Sequence, residues 1–204
     1  MSLPYVILGF LQYAPATGYD LKKTFDVTVR HFWPADQSHI YRALAELVER
    51  DAVRVEEIPQ SGRPNRKLYH ITERGRQELI SWLRQPAAVS RVRNTALVHV
   101  FFAGNLKDAD VLTLLEAYEN GLREELACYR RIPDMLHDVA PFRPSKRESF
   151  FWMLTLEYGI VLVEAQLAWV RGVRKRIQAK QYVSTVEDLP EEGKAVREKK
   201  RRGR

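Results

Sequence analysis

A single cysteine, Cys128, is present in 204 residues. That excludes an internal disulfide and a cysteine-ligated zinc site, and it fits a reducing, cytoplasmic setting. The five histidines, His31, His39, His70, His99 and His137, are scattered, with no His-x-x-x-His pair among them. No metal site and no cofactor are expected. Neither a Gly-rich phosphate loop nor a Gly-x-Ser-x-Gly elbow occurs, so the residues offer no support for catalysis. The opening Met1-Ser2-Leu3-Pro4 lacks a basic segment ahead of an apolar one, and no cleaved leader is expected.

Long apolar runs are also scarce. One run, Phe150 to Val170, has the length needed to cross a bilayer. It contains Glu157, Glu164 and Gln166, and carboxylates in mid-span are expensive in lipid, so the expected state is a helix buried in protein. The net charge of +7 is unevenly spread: residues 1 to 85 hold 12 Lys/Arg against 10 Asp/Glu, residues 86 to 193 hold 14 against 15, and residues 194 to 204 hold 7 against 1. Most of the excess belongs to the last eleven residues, so an anionic partner must be argued from local placement and not from the total.

What is present begins with Leu3, Val6, Ile7, Phe10 and Leu11 at helical spacing, closed by Ala14-Pro15-Ala16. Thr17-Gly18-Tyr19-Asp20 has the Thr-x-x-Asp form of a helix start. The second helix is read with Leu21, Phe25, Val29 and Phe32 inward, Lys22, Lys23, Asp26 and Arg30 outward, and Trp33-Pro34 as its stop. Asp36 is placed as N-cap of a third helix whose buried stripe is Ile40, Leu44, Leu47 and Val48. Ser38, Arg42, Ala45 and Glu49 then face outward. The first two turns of that face carry hydrogen-bonding and cationic groups, whereas Glu46 and Glu49 would repel phosphate. Val53 to Ile58 and Lys67 to Ile71 read as strands joined by a turn containing Gly62 and Pro64. Thr72 starts a fourth helix through Leu83.

A helix suited to a DNA groove, followed by a basic hairpin, reads as a winged helix-turn-helix. Leu3-x-x-x-Ile7-Leu8-Gly9-Phe10-Leu11, Thr17-Gly18-Tyr19-Asp20-Leu21, His31-Phe32-Trp33-Pro34-Ala35-Asp36, Ile40-Tyr41-Arg42-Ala43-Leu44 and Gly62-Arg63-Pro64-x-Arg66-Lys67-x-Tyr69-x-Ile71-Thr72 resemble the PadR family of bacterial transcriptional regulators. From Asn94 onward, Phe101-Phe102-Ala103-Gly104, Gly159-Ile160 and Glu164-Ala165-x-Leu167-x-Trp169 resemble the helical C-terminal domain of its longer, virulence-activator-like members. The resemblance implies a homodimer, repression more often than activation, and often release by a small-molecule effector.

The dimer is expected on physical grounds as well. Val111, Leu115, Tyr118, Leu122, Leu126 and Tyr129 follow steps of 4, 3, 4, 4 and 3, the seam of one helix packed along another. After the break at Ala140-Pro141-Phe142-Arg143-Pro144, a last helix from about Ser145 to Lys180 would span roughly 50 Å. It is apolar nearly all round between Phe150 and Val170, more than one small domain can cover, and a second protomer is the natural cover.

The expected fold is therefore mainly α with a small β-hairpin: a winged helix at 1–86, a helical dimerisation and effector domain at 87–183, and a basic, disordered tail at 184–204 that adds nonspecific DNA affinity. Ser38 and Arg42 are the candidates for base edges, and Gln37 is counted with them among the DNA-binding residues. Tyr41 is a phosphate candidate whose ring could instead be structural. Lys22, Lys23, Arg63, Arg66 and Lys67 are backbone candidates, or simply keep their faces solvated. His99, Trp152, Tyr158 and Trp169 could line an effector pocket, although aromatics at helical spacing are more often core. Glu157 and Glu164 are read as pairing with donors across the dimer interface. The function read from the sequence is that of a sequence-specific, double-stranded DNA-binding regulator, with no membrane partner. The alternative is a winged helix used for protein or RNA binding.

Overall fold

A computed structural model describes residues 2–60, 65–87, 93–136 and 144–182. In chain order it has α1 (Leu3–Leu11), α2 (Gly18–Thr28), α3 (Gln37–Glu49), β1 (Val53–Ile58), β2 (Arg66–Ile71), α4 (Glu73–Leu83), α5 (Thr95–Phe102) with a short 3-10 turn, α6 (Asp108–Leu136) and α7 (Lys146–Gln178). The Arg63 side of the hairpin tip, the Ala140–Arg143 break and the basic tail lie outside the described residues.

In the N-terminal half, helix-start chemistry coincides with helix starts. Thr17 and Asp20 complete a reciprocal capping box at α2, and the Thr72 hydroxyl accepts from the Gly75 amide at α4. Asp36 occupies the N-cap of α3, but its side chain makes no capping hydrogen bond. The two strands pair antiparallel from Val53 opposite Ile71 to Ile58 opposite Arg66. Ile7, Leu8, Leu21, Ile40, Leu44 and Leu47 close a single core beneath them, completed by Ala52, Val53 and Leu79. Two expected details differ. The helical part of α2 ends at Thr28, before Trp33, and Phe32 is 45% exposed. Along α3 the buried stripe runs through Ala43, with Val48 half-buried.

The C-terminal half is built on α6 and α7, which run antiparallel. The predicted seam is present: Val111, Leu115, Leu122, Leu126 and Tyr129 are buried, and Tyr118 is half-buried with its hydroxyl donating to Gln166 Oε1 at 2.8 Å. Leu156, Val163, Leu167 and Val170 meet them from α7. The short helix α5, capped by Asn94, was not foreseen as an element, and none of its residues is buried. The outer face of α7 is open, and α7 is the one helix among the described residues long and apolar enough to cross a membrane. Glu164 pairs with Arg130 of α6 in the same chain at 2.9 Å.

One buried charge holds α6 to α7. Glu119 is 2% exposed and receives Arg171 Nε at 2.8 Å and Arg174 Nη1 at 2.5 Å from α7, with Arg123 Nη2 at 2.6 Å from its own helix. The two α7 guanidiniums, more than offsetting burial, hold its carboxyl down at about 2.

Candidate nucleic-acid interface

Gln37, Ser38, Tyr41 and Arg42 all stand exposed on the first half of α3, with Glu46 and Glu49 exposed further along the same helix. That arrangement keeps the anion-compatible groups at one end, the end that enters the major groove in helix-turn-helix docking. The Tyr41 ring lies directly on Gly18, where an added Cβ would come within 2.5 Å of Tyr41 Cε1. Yet 42% of Tyr41 remains exposed, so packing and surface presentation coexist in one side chain.

The wing is anchored to the start of α2. Ala16 and Tyr69 exchange backbone hydrogen bonds at 3.2 and 2.9 Å, adding a one-residue bridge to the hairpin. Burial, and secondarily the neighbouring Tyr41, raises the Tyr69 phenol above its ordinary value. Arg66 Nη2 donates to Asp20 Oδ2 at 2.9 Å. The same oxygen accepts from the Thr17 hydroxyl at 2.6 Å and the Thr17 amide at 3.2 Å. Burial works against the Asp20 charge, but these hydrogen bonds outweigh it and hold the carboxyl below its ordinary range.

The predicted backbone cations therefore divide. Lys22 is tied to Asp26 one turn along, and Lys67 Nζ lies 3.9 Å from Glu57. Arg66 is engaged by Asp20, a partner 46 positions away that nothing in the local spacing announced. Lys23 and Arg42 enter no ion pair among the described residues. Arg63 lies outside the described residues.

Known proteins share both halves. Residues 7–81 match the transcriptional regulator PadR-like family, and residues 92–178 match the virulence activator alpha C-terminal family. The probable transcriptional regulator Rv1176c of Mycobacterium tuberculosis is 30% identical over 190 residues, covering 88% of this chain and 100% of that protein. The chain belongs to the PadR-like family of transcriptional regulators. The fold agrees with that of Bacillus subtilis PadR solved in complex with operator DNA, with a TM-score of 0.74 at 22% identity, over 87% of this chain and 99% of that one. The same protein in complex with p-coumaric acid gives 0.69 at 21% identity, over 87% and 99%. The Vibrio cholerae virulence activator AphA gives 0.67 at 27% identity, over 88% and 99%.

In this PadR-family chain the two halves also enclose a cavity of about 300 Å³. Tyr5, Gly9 and Phe10 of α1, Trp82 of α4, and Trp152 and Met153 of α7 are among its walls, and its lining is predominantly apolar. Of the predicted pocket residues, only Trp152 is there. Tyr158 is 64% exposed, and His99 and Trp169 are exposed on α5 and α7. Tyr158 and Trp169 stand about 240–260° round α7 from Trp152, at about 100° per residue, and His99 belongs to a different helix, so none of the three lines the cavity.

The cavity also holds a residue the sequence reading left without a role. Both ring nitrogens of His31 are buried without a hydrogen bond of ordinary geometry. Burial lowers its pKa, against a smaller opposing influence from the backbone of Thr155 and Thr28. Its ring meets Tyr129 of α6 edge to face at 5.5 Å, and Tyr13 meets Trp152 the same way at 5.4 Å. Gly159 allows this approach, since a Cβ there would lie 3.2 Å from Tyr129 Cε2 and 3.3 Å from His31 Cδ2. No local pattern marked His31, because its contacts come from α6 and α7.

Proposed function

We propose that this PadR-family regulator is a cytoplasmic homodimeric repressor that reads operator DNA with the first half of α3 and responds to a small apolar molecule held between its two halves. The observation that carries the DNA reading is the exposed set Gln37, Ser38, Tyr41 and Arg42 beside a hairpin pinned to the same domain. Arg42 and Ser38 address base edges, with Arg42 suited to two parallel hydrogen bonds to guanine. Tyr41, Lys22, Lys23, Lys67 and the tip residue Arg63 address the backbone.

The apolar faces support the dimer. Phe101, Phe102, Phe150, Tyr158 and Val161 are each more than half exposed in one protomer, an apolar surface on α5 and α7 of the kind that marks a protein interface. A second copy covering it would hold the two winged helices at a fixed separation, as half-sites require.

Selection of duplexes from a random library, followed by titration, tests the reading. The expected hit is a palindrome with half-sites about one DNA turn apart. Arg42→Ala should then lose about 1–3 kcal/mol on that hit and relax preference at one base position. Failure to enrich any duplex would favour a protein-binding or RNA-binding winged helix instead.

For the effector, the cavity between the halves supports the reading, and B. subtilis PadR is a family relative solved with p-coumaric acid. Planar aromatic acids are therefore the first probes. Gly9 lines the cavity, and a Cβ there meets nothing within 4 Å, so Gly9→Leu should fill the space without disturbing α1. The expected result is quenching of tryptophan fluorescence in the wild type and its loss in Gly9→Leu, with operator binding retained. A response that survives Gly9→Leu would move the effector site elsewhere.

A further inference from the structure

We propose that Asp20 and Arg66 form a clamp that sets the spacing between the wing and the base-reading helix, so that Arg66 serves DNA binding as a positioning residue and not as a phosphate contact. The inference rests on the DNA-binding reading above and concerns how that face is held together.

Arg66 is the first residue of β2, opposite Ile58, immediately after the hairpin tip. Three positions further on, the backbone of Tyr69 is pinned to Ala16. The wing is thus held at two points, by backbone at Tyr69 and by side chain at Arg66, and both holds end on the five residues Ala16 to Asp20. That same turn carries Gly18, the floor on which Tyr41 of α3 rests. One short piece of chain therefore touches both DNA-directed elements. A change in its grip on Arg66 changes the distance between them.

The anchor is itself held in place by hydrogen bonds. Asp20 Oδ2 is held by the hydroxyl and amide of Thr17, which is 7% exposed and caps α2. A carboxylate fixed in this way is poor company for DNA, and beside Arg66 it cancels the cation's charge. A residue meant to bind phosphate would gain nothing from that neighbour. A residue meant to hold a strand gains a charge-assisted hydrogen bond to a rigid acceptor. Lys23 and Arg42, free of ion pairs among the described residues, remain to meet the nucleic acid, together with Lys22 and Lys67, whose partners Asp26 and Glu57 are themselves exposed, one turn along the same helix and directly across the hairpin.

The test uses the full chain and the tightest duplex that the wild type selects from a random library. Asp20→Asn keeps an acceptor oxygen for Thr17 but drops the charge that holds Arg66. Simple electrostatics predicts tighter binding when an acidic group leaves the DNA side. The clamp predicts the opposite: about fivefold weaker binding in Asp20→Asn and in Arg66→Ala, the scale of one part-exposed ion pair. The double variant should be no weaker than Arg66→Ala alone, and Arg66→Lys should recover part of the loss. The slope of log affinity against log salt should be unchanged throughout, and amide exchange at Lys67 and Tyr69 should quicken in both single variants.

Tighter binding by Asp20→Asn, additive losses in the double variant, or a slope flattened by ~0.9 in Arg66→Ala would each overturn the clamp and return Arg66 to phosphate contact. Should Asp20→Asn fail to fold by circular dichroism, the salt slope and exchange of Arg66→Ala and Arg66→Lys decide the matter. If the wild type selects no duplex, the DNA reading fails, and the exchange measurements still report whether the pair fixes the wing.

Discussion

The N-terminal half closes nearly all of its core, and the C-terminal half leaves much of its apolar surface open. Ile7, Leu8, Leu21, Ile40, Leu44 and Leu47 are fully buried, and from the C-terminal half Trp152 of α7 packs against their cluster. On the other side of the molecule, α5 buries nothing, and α7 turns a row of aromatic and branched residues outward. The first half is finished as a protomer; the second is finished by something else. That difference separates two kinds of hydrophobic residue that look alike in the sequence: those that stabilise a fold and those that stabilise an assembly.

Substitutions in each half should break or sharpen this contrast. The largest effect is expected from Leu44→Ala, which empties a fully buried site and should cost about 3 kcal/mol in urea unfolding of the full chain. Because this core is buried within one protomer, the cost should be the same at low and high protein concentration. A concentration-dependent cost would mean that the N-terminal core needs the partner too.

Next comes Phe101→Glu. At 80% exposure this side chain contributes little to a single protomer, yet a charge there should weaken self-association about a hundredfold in sedimentation analysis. Unchanged association would remove α5 from the interface and leave its apolar residues unexplained.

Smaller is the effect of Glu119→Gln, which leaves Arg171 and Arg174 facing a neutral amide. About 2 kcal/mol should be lost, less than for a wholly buried pair because Arg171 is half exposed. The folded-state pKa of Glu119 is depressed from 4.5 to about 2, so its stabilisation is fully present above the ordinary carboxyl range and disappears as pH falls toward 2. The variant should lack that portion of the acid dependence. An identical acid profile in wild type and variant would show that the α6–α7 pairing depends on its apolar seam alone.

Much of this fold could be read one residue at a time. The capping box at Thr17 and Asp20, the start at Thr72 and the α6 seam from Val111 to Tyr129 stand where periodicity and helix-start chemistry placed them. The same reading predicted the hairpin and the exposed first half of α3. Where it failed, the missing information was the position of another element. Phe32 was expected inside because it continued the spacing of α2, but the helix had already ended. Tyr158 and Trp169 were grouped with Trp152 by chemistry, whereas the turn of about 100° per residue carries them round α7, away from the cavity that Trp152 lines.

The sequence by itself determined most of the helices and the hairpin, most of the apolar face of each, and which end of α3 carries the carboxylates Glu46 and Glu49, because all three depend on residues within a few positions of one another. Only the tertiary structure decided that Arg66 is engaged by Asp20, that Glu164 pairs with Arg130, and that His31 meets Tyr129 across 98 positions of chain. Long charged side chains and aromatic rings can choose among many partners of suitable chemistry. The choice is made by the packing that brings distant elements together, and local spacing carries no record of it.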